Sequence, residues 1–166
     1  MQDINTLVTF SSRTGATERL ALAAALGAVQ ARALIRLRWL RENVDDPTID
    51  GLPEWRENRV RMAREYIAPR EIDFLWADVL VLAMPARDGD SSPEWKTYLD
   101  GLKGLHGKVA TAFTTGSDAT LVSLCPVLAG LNLILVPPDP TATALLHGRK
   151  VTEAARALKQ PARDPL

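Results

Sequence analysis

Residues 4–17 read INTLVTFSSRTGAT. Ile4 to Phe10 is a short run of β-forming residues, and Leu7, Val8 and Phe10 give it the character of a buried strand. Ser11 to Thr17 then holds four hydroxyl residues and one glycine. From Thr17 to Ala28 the pattern turns helical, because Leu20, Ala23, Ala24 and Gly27 fall at i, i+3, i+4 and i+7. Small residues on that stripe would let the helix lie close to a sheet. A buried strand, a tight loop and a helix open a β-α unit.

The alternation continues along the chain. Ala33 to Leu40 alternates, with Ala33, Ile35, Leu37 and Trp39 on one side and Leu34, Arg36, Arg38 and Leu40 on the other. Charge on an open face is what an edge strand uses against self-pairing. Asn43 to Pro53 reads as a loop. Glu54 to Ile67 reads as an exposed helix with Trp55, Met62 and Tyr66 on one side, and Glu57 stands in the favoured i,i+4 order before Arg61. Val79 to Met84 is an unbroken apolar run, expected of a central parallel strand covered on both faces. Ser91 or Ser92 can cap a helix that starts at Pro93 and runs to about Leu102. Gly107–Phe113 and Leu131–Val136 read as the fourth and fifth strands. Asp118–Ala129, bent at Pro126, and Lys150–Gln160 read as helices. Such alternation implies an α/β fold with a parallel sheet and helices on both faces. With Ala33–Leu40 at one edge, the strand order is 2-1-3-4-5. The expectation is one domain over residues 1–166.

Bulk properties narrow the partners. Lys plus Arg and Asp plus Glu number 20 each, so the formal charge is zero. Nothing electrostatic points to nucleic acid or to an anionic membrane. Cys125 is the single cysteine, so no disulfide forms within the chain and a reducing compartment is the natural setting. Its apolar neighbours, Leu121 to Leu128, suggest a buried and inert thiol. No apolar run nears the ~20 residues that span a bilayer, and Met1-Gln2-Asp3 lacks the basic start of a signal peptide. A cytoplasmic location is expected.

Sheets of this order bind ligands outside the carboxyl ends of their strands, where the order reverses. The loops after strands one, three and four are therefore the ones to read. A phosphate monoester needs donors on several sides. In Ser12–Thr17, hydroxyls supply some, and N–H groups at the helix start supply others with the helix dipole behind them. Gly15 allows close approach of the backbone. No Lys follows the glycine, so this is not a nucleotide-triphosphate loop, and the spacing is not that of a dinucleotide site. The same residues would also make an ordinary Ser/Thr-rich helix start, and both readings stand at this point.

The pattern Ser12-x-Thr14-Gly15-x-Thr17-Glu18 after a first strand resembles the FMN-phosphate loop of flavodoxin-like proteins. Pro85-Ala86-Arg87-Asp88-Gly89-Asp90, followed by Lys96-Thr97-Tyr98-Leu99-Asp100, is similar to the flavin-ring loop and next helix of the tryptophan-repressor-binding-protein family. That family comprises NAD(P)H:quinone oxidoreductases of flavodoxin fold. Phe113-Thr114-Thr115-Gly116-Ser117 resembles its third flavin loop, and Arg149, Glu153, Ala154 and Leu158 match its final helix. The resemblance implies a flavodoxin-like three-layer sandwich. It implies an FMN phosphate held by Ser12, Arg13, Thr14, Gly15, Ala16 and Thr17. It also implies a flavin ring flanked by Pro85, Ala86, Arg87, Asp88 and Gly89, with Thr114, Thr115 and Gly116 at the ring edge or ribityl chain. NAD(P)H would be the co-substrate, a quinone or similar small molecule the electron acceptor, and a homodimer or homotetramer the assembly. Asp88 stands where the family usually has an aromatic residue, Gly130-Leu131 where it often has a histidine, and Pro137–His147 is a shortened loop. Two other functions share this fold: a non-enzymatic electron carrier, and an interaction module that has lost its flavin.

Other residues read more plainly. His106 and His147 sit in Gly-containing stretches that look like exposed loops, without the spacing of a metal site. Arg36, Arg38 and Arg41 are explained by an edge strand. The arginines of Glu54–Ile67, interleaved with Glu, read as a solvated face. Among the tryptophans, Trp95 is the one placed to reach a flavin, one helical turn after the ring loop. No catalytic side chain can be named.

Overall fold

The computed structural model describes residues 3–44, 48–49, 51–85, 92–115, 119–137 and 142–160, with backbone alone for 119–124. Five parallel strands form one sheet: β1 (Ile4–Phe10), β2 (Ala33–Trp39), β3 (Val79–Pro85), β4 (Val109–Thr115) and β5 (Ile134–Leu135), in the order β2-β1-β3-β4-β5. The order is the expected one. It puts β1 between β2 and β3, so the loops after β1 and β3 leave neighbouring strands in opposite directions. Phe10 lies opposite both Trp39 and Ala83, and Pro85 opposite Thr115. The carboxyl ends of four strands therefore share one edge.

Helices flank the sheet, and those fully within the described residues are α1 (Ala16–Gln30), α2 (Pro53–Glu65), α3 (Glu71–Trp76), α4 (Pro93–Asp100), α5 (Ala119–Gly130) and α6 (Ala144–Lys159). Strand alternation sorts the core into two layers. Ile4, Val8, Phe10, Val79 and Val81 face Ala21, Ala24, Ala25, Met62, Val151 and Ala155. Leu7, Leu80, Leu82 and Met84 face Phe74, Trp95, Leu99 and Leu128. The result is a three-layer α/β sandwich.

The small residues of α1 have a specific partner. Gly27 and Gly148 mark a crossing of α1 and α6 in which backbone meets backbone. A Cβ on Gly27 would stand 1.9 Å from the carbonyl oxygen of Leu145, and one on Gly148 would stand 2.1 Å from that of Ala24. Any larger residue at either position would drive the two helices apart.

Several expectations need correction. The last helix begins at Ala144, not Lys150, with the Thr143 hydroxyl accepting the N–H of Leu146. Gly148 looked like a loop residue, yet it serves the helix crossing. His147 is consequently buried inside α6, where its Nε2 meets Thr111 Oγ1 at 2.6 Å. β5 spans only Ile134–Leu135, because Asn132 takes a left-handed conformation (φ 58°) that turns the chain after α5. Cys125 is exposed, not buried. It shares the outer side of α5 with Val127, while Leu128 faces the sheet. α3 was not foreseen.

Arg36 and Arg38, on the edge strand β2, are only partly exposed. Both converge on the buried carboxylate of Asp73 in α3, at 3.1 and 2.7 Å. Burial alone would raise the Asp73 pKa, but the bonds from Arg38, the Arg70 N–H and Arg36 hold it below the usual carboxylate range. Lys108 caps the other end of α3 by donating to the carbonyls of Phe74, Leu75 and Ala77.

Candidate functional site

The chain leaves β1 at Phe10 and is fixed at once. The Ser11 N–H donates to the Ala83 carbonyl on β3 at 3.1 Å. The Ser11 hydroxyl accepts the indole N–H of Trp95 at 2.7 Å. Trp95 is 1% exposed and sits edge-on to Tyr98. It is thus a support beneath the loop and has no free face for a ligand, contrary to the stacking role considered for it. Tyr98 repeats the device two residues earlier, with its hydroxyl 2.9 Å from that of Thr9, and burial pushes its pKa up to about 12.

Ser12 turns its hydroxyl inward to accept the Gly15 N–H at 3.0 Å. Gly15 then takes φ +95° at the N-cap of α1, a backbone conformation that L side chains rarely adopt. A glycine cap has no oxygen of its own, and among the described residues no side chain caps α1. Contrast α4 and α6, where Ser92 and Thr143 hydroxyls serve the helix start. The first N–H groups of α1 thus face the carboxyl edge with the positive end of the helix dipole behind them. Thr17 is buried, and its hydroxyl lies 3.3 Å from that of Thr115 at the end of β4. Loops one and three therefore meet. Thr14 is exposed and Ala16 half-buried.

Arg13 points elsewhere. Its guanidinium lies 4.9 Å from the centre of the Trp55 ring and 3.4 Å from the Glu42 carboxylate, and its carbonyl accepts from Asn58. Pro85 and Thr114 stand opposite Thr115 and Met84 at the ends of β3 and β4, both half-buried. Ala86, Arg87, Asp88, Gly89 and Gly116 lie outside the described residues.

One group of side chains behind the loop was not foreseen. Glu18, in the first turn of α1, is buried against α2, where Arg61 and Tyr66 both donate to its carboxylate. Burial pushes its pKa upward, but those hydrogen bonds and the Arg61 charge prevail and hold it low. Arg61 was expected to pair with Glu57. It binds Glu18, Asn58 and Glu65 instead. No sequence signal links positions 43 residues apart.

No family model matches the chain. Curated relatives do. The chain is 29% identical over 146 residues to a protein of Deinococcus radiodurans named NAD(P)H dehydrogenase (quinone), covering 81% of this chain and 72% of that one. It is 30% identical over 147 residues to a protein of the same name from Archaeoglobus fulgidus, covering 80% and 76%. The chain belongs to the NAD(P)H dehydrogenase (quinone) family. Its fold is flavodoxin-like: the solved structure of a flavodoxin from the domain Archaea superposes with a TM-score of 0.61 at 11% identity, covering 95% of this chain and 100% of that one. In this member of the NAD(P)H dehydrogenase (quinone) family, no helix among the described residues is long and apolar enough to cross a membrane.

The residues present suit a flavin phosphate. An uncapped helix start and a left-handed glycine offer backbone N–H donors, with the Thr14 and Thr17 hydroxyls beside them, while the Ser12 hydroxyl is turned to the Gly15 N–H. Among the described acids, Glu18 is turned to Arg61 and Tyr66, and Glu42 to Arg13.

Proposed function

We propose that the chain binds FMN by its phosphate on Ser12–Thr17 and serves as a cytoplasmic reductase, passing electrons from NAD(P)H to a quinone or similar small acceptor. The observation that carries this reading is the open start of α1 at the carboxyl edge, in a chain whose relatives bear the quinone dehydrogenase name. FMN, when bound, supplies the redox chemistry. The chain's own part is to bind and orient. The α1 N–H groups and the Thr14 and Thr17 hydroxyls would hold the phosphate. Arg13 supports the loop from behind through Trp55 and Glu42. Thr115 ties the loop to β4, so that Pro85, Thr114 and Thr115 at the ends of β3 and β4 would stand in fixed register with the phosphate, and the family resemblance assigns the ring to residues 85–89 and 114–116. The Arg61–Glu18 pair keeps a buried negative charge from opposing the phosphate.

The test is a titration of the purified protein with FMN and with riboflavin, followed by absorbance, and then NADH- and NADPH-driven reduction of a soluble quinone. The expected result is one FMN per chain, tighter binding of FMN than of riboflavin, and slow quinone turnover. Equal affinity for the two flavins would overturn the phosphate assignment.

A further inference from the structure

A second region at the same edge is built for negative charge. Between the end of β2 and α2 lies a cleft of about 410 Å³, lined by Trp39, Arg41, Ile49, Arg59, Val60 and Arg64, with Arg56 and Ala63 beside them. The α2 residues fall at 56, 59, 60, 63 and 64, which is one face of a helix. The opposite face is spent on the core through Trp55 and Met62. Arginine recurs along the cleft face, while Glu65 turns to Arg61 at 2.6 Å. No carboxylate is among the described lining residues, and among the described residues Arg41, Arg59 and Arg64 enter no ion pair. Trp39 and Ile49, both buried, form an apolar floor, and the exposed side chains of Val60 and Ala63 flank it. A solvated helix face needs no apolar surface between its arginines.

We propose that this cleft is a second anion site, which takes a purine nucleotide carrying a phosphomonoester. Guanidinium forks match phosphate oxygens in two-point contacts and also stack on aromatic planes. The apolar floor accepts a base, and the volume lies in the range of small-molecule sites. The cleft adjoins the loop after β1: a narrow crevice lined by Ser11, Ser12 and Glu42 shares Trp39 and Arg59 with it. Resting on the reductase reading, the ligand is the 2′-phosphorylated adenosine end of NADPH. That phosphate brings about two negative charges which NADH lacks, so the cleft would favour NADPH.

The experiment is calorimetric titration with adenosine 2′,5′-bisphosphate, with adenosine and inorganic phosphate as controls, on the native chain and on Arg59→Gln/Arg64→Gln. Both arginines lie on the helix surface, and far-UV circular dichroism with urea unfolding reports that the variant is folded. The expected result is bisphosphate binding at least tenfold tighter than either control, a tenfold or greater loss in the double variant, and FMN affinity within twofold of native. Excess FMN leaves the bisphosphate bound. Undiminished binding in the double variant, displacement by FMN, or no binding at all would overturn the site. Arginine-dependent binding in a chain that takes no FMN would sustain the cleft and sink the reductase reading. FMN uptake without bisphosphate binding would do the reverse.

Discussion

The start of α1 and the β2–α2 cleft are both proposed to receive negative charge, and they are made in opposite ways. The first offers peptide N–H groups and short hydroxyls locked by Trp95, Gly15 and Thr115. It contributes no formal charge of its own. The second offers long guanidinium stems around an apolar floor. A locked set of neutral donors selects by shape, because the ligand must come to fixed positions. Mobile charges select by charge, because the stems adjust to the ligand. One chain can therefore hold two anions with little cross-binding, and each variant below should disturb one region more than the other.

The largest effect is expected for Trp95→Ala. It removes a buried indole and leaves the Ser11 hydroxyl without its donor. Loss of a core Trp costs roughly 3–5 kcal/mol, readable by urea unfolding, and FMN binding should fall far more than bisphosphate binding. Equal losses at both sites would erase the distinction between them. Arg61→Met comes next. It strands the Glu18 carboxylate, at a cost of roughly 2–3 kcal/mol. That is below the 3–5 kcal/mol typical of a fully buried pair, because Arg61 is 41% exposed and water screens it. Glu18→Gln combined with it should recover much of the loss.

Thr17→Val keeps volume and branching but removes a hydroxyl. A hydrogen bond to a charged acceptor is worth roughly 1.5–3 kcal/mol, so FMN affinity should drop about tenfold or more while bisphosphate binding stays unchanged. The pH response sharpens the same contrast. The pKa of Glu18 is lower in the folded chain than its ordinary 4.5. Its stabilising contribution is thus fully present above that value and is lost as pH falls through the lower folded value. Asp73 behaves with the same sign from 3.8. Unfolding measured from pH 6 down to 3, as set points of the experiment, should show a shallower loss of stability in Glu18→Gln than in the native chain. Salt should give the smallest effect. The screening length is about 10 Å at 0.1 M and about 3 Å at 1 M, so added salt should weaken the cleft several-fold and the α1 site less.

Periodicity and composition were enough to read the sheet, its order and the position of the first loop. Ile4–Phe10 and Val79–Met84 bury their side chains on both faces, so their patterns are local and strong. Ser12, Gly15 and Thr17 were legible because turn and cap chemistry is local too. What escaped was set by partners far along the chain. Asp73 meets Arg36 and Arg38 only because α3 packs on β1, within reach of the β2 arginines, and a six-residue helix carries too few positions to show a period. His147 and Gly148 looked like a loop because glycine opposes helix on propensity. The crossing with α1 overrides that preference. Cys125 misled because an apolar segment can still turn one side outward.

The Gly27–Gly148 crossing also dictates an order of events in time. The anion-binding turn sits at the start of α1, but the surface on which α1 rests is made by a segment over a hundred residues later. While the chain is being synthesised, β1 and α1 emerge before α6 and lack that part of their packing. Until residues 144–159 arrive, the turn is held through Ala83, Trp95 and Thr115, and α1 has no crossing helix to fix it. Nascent chains stalled before Ala144 should leave Ser11–Thr17 open to a protease that spares the finished protein.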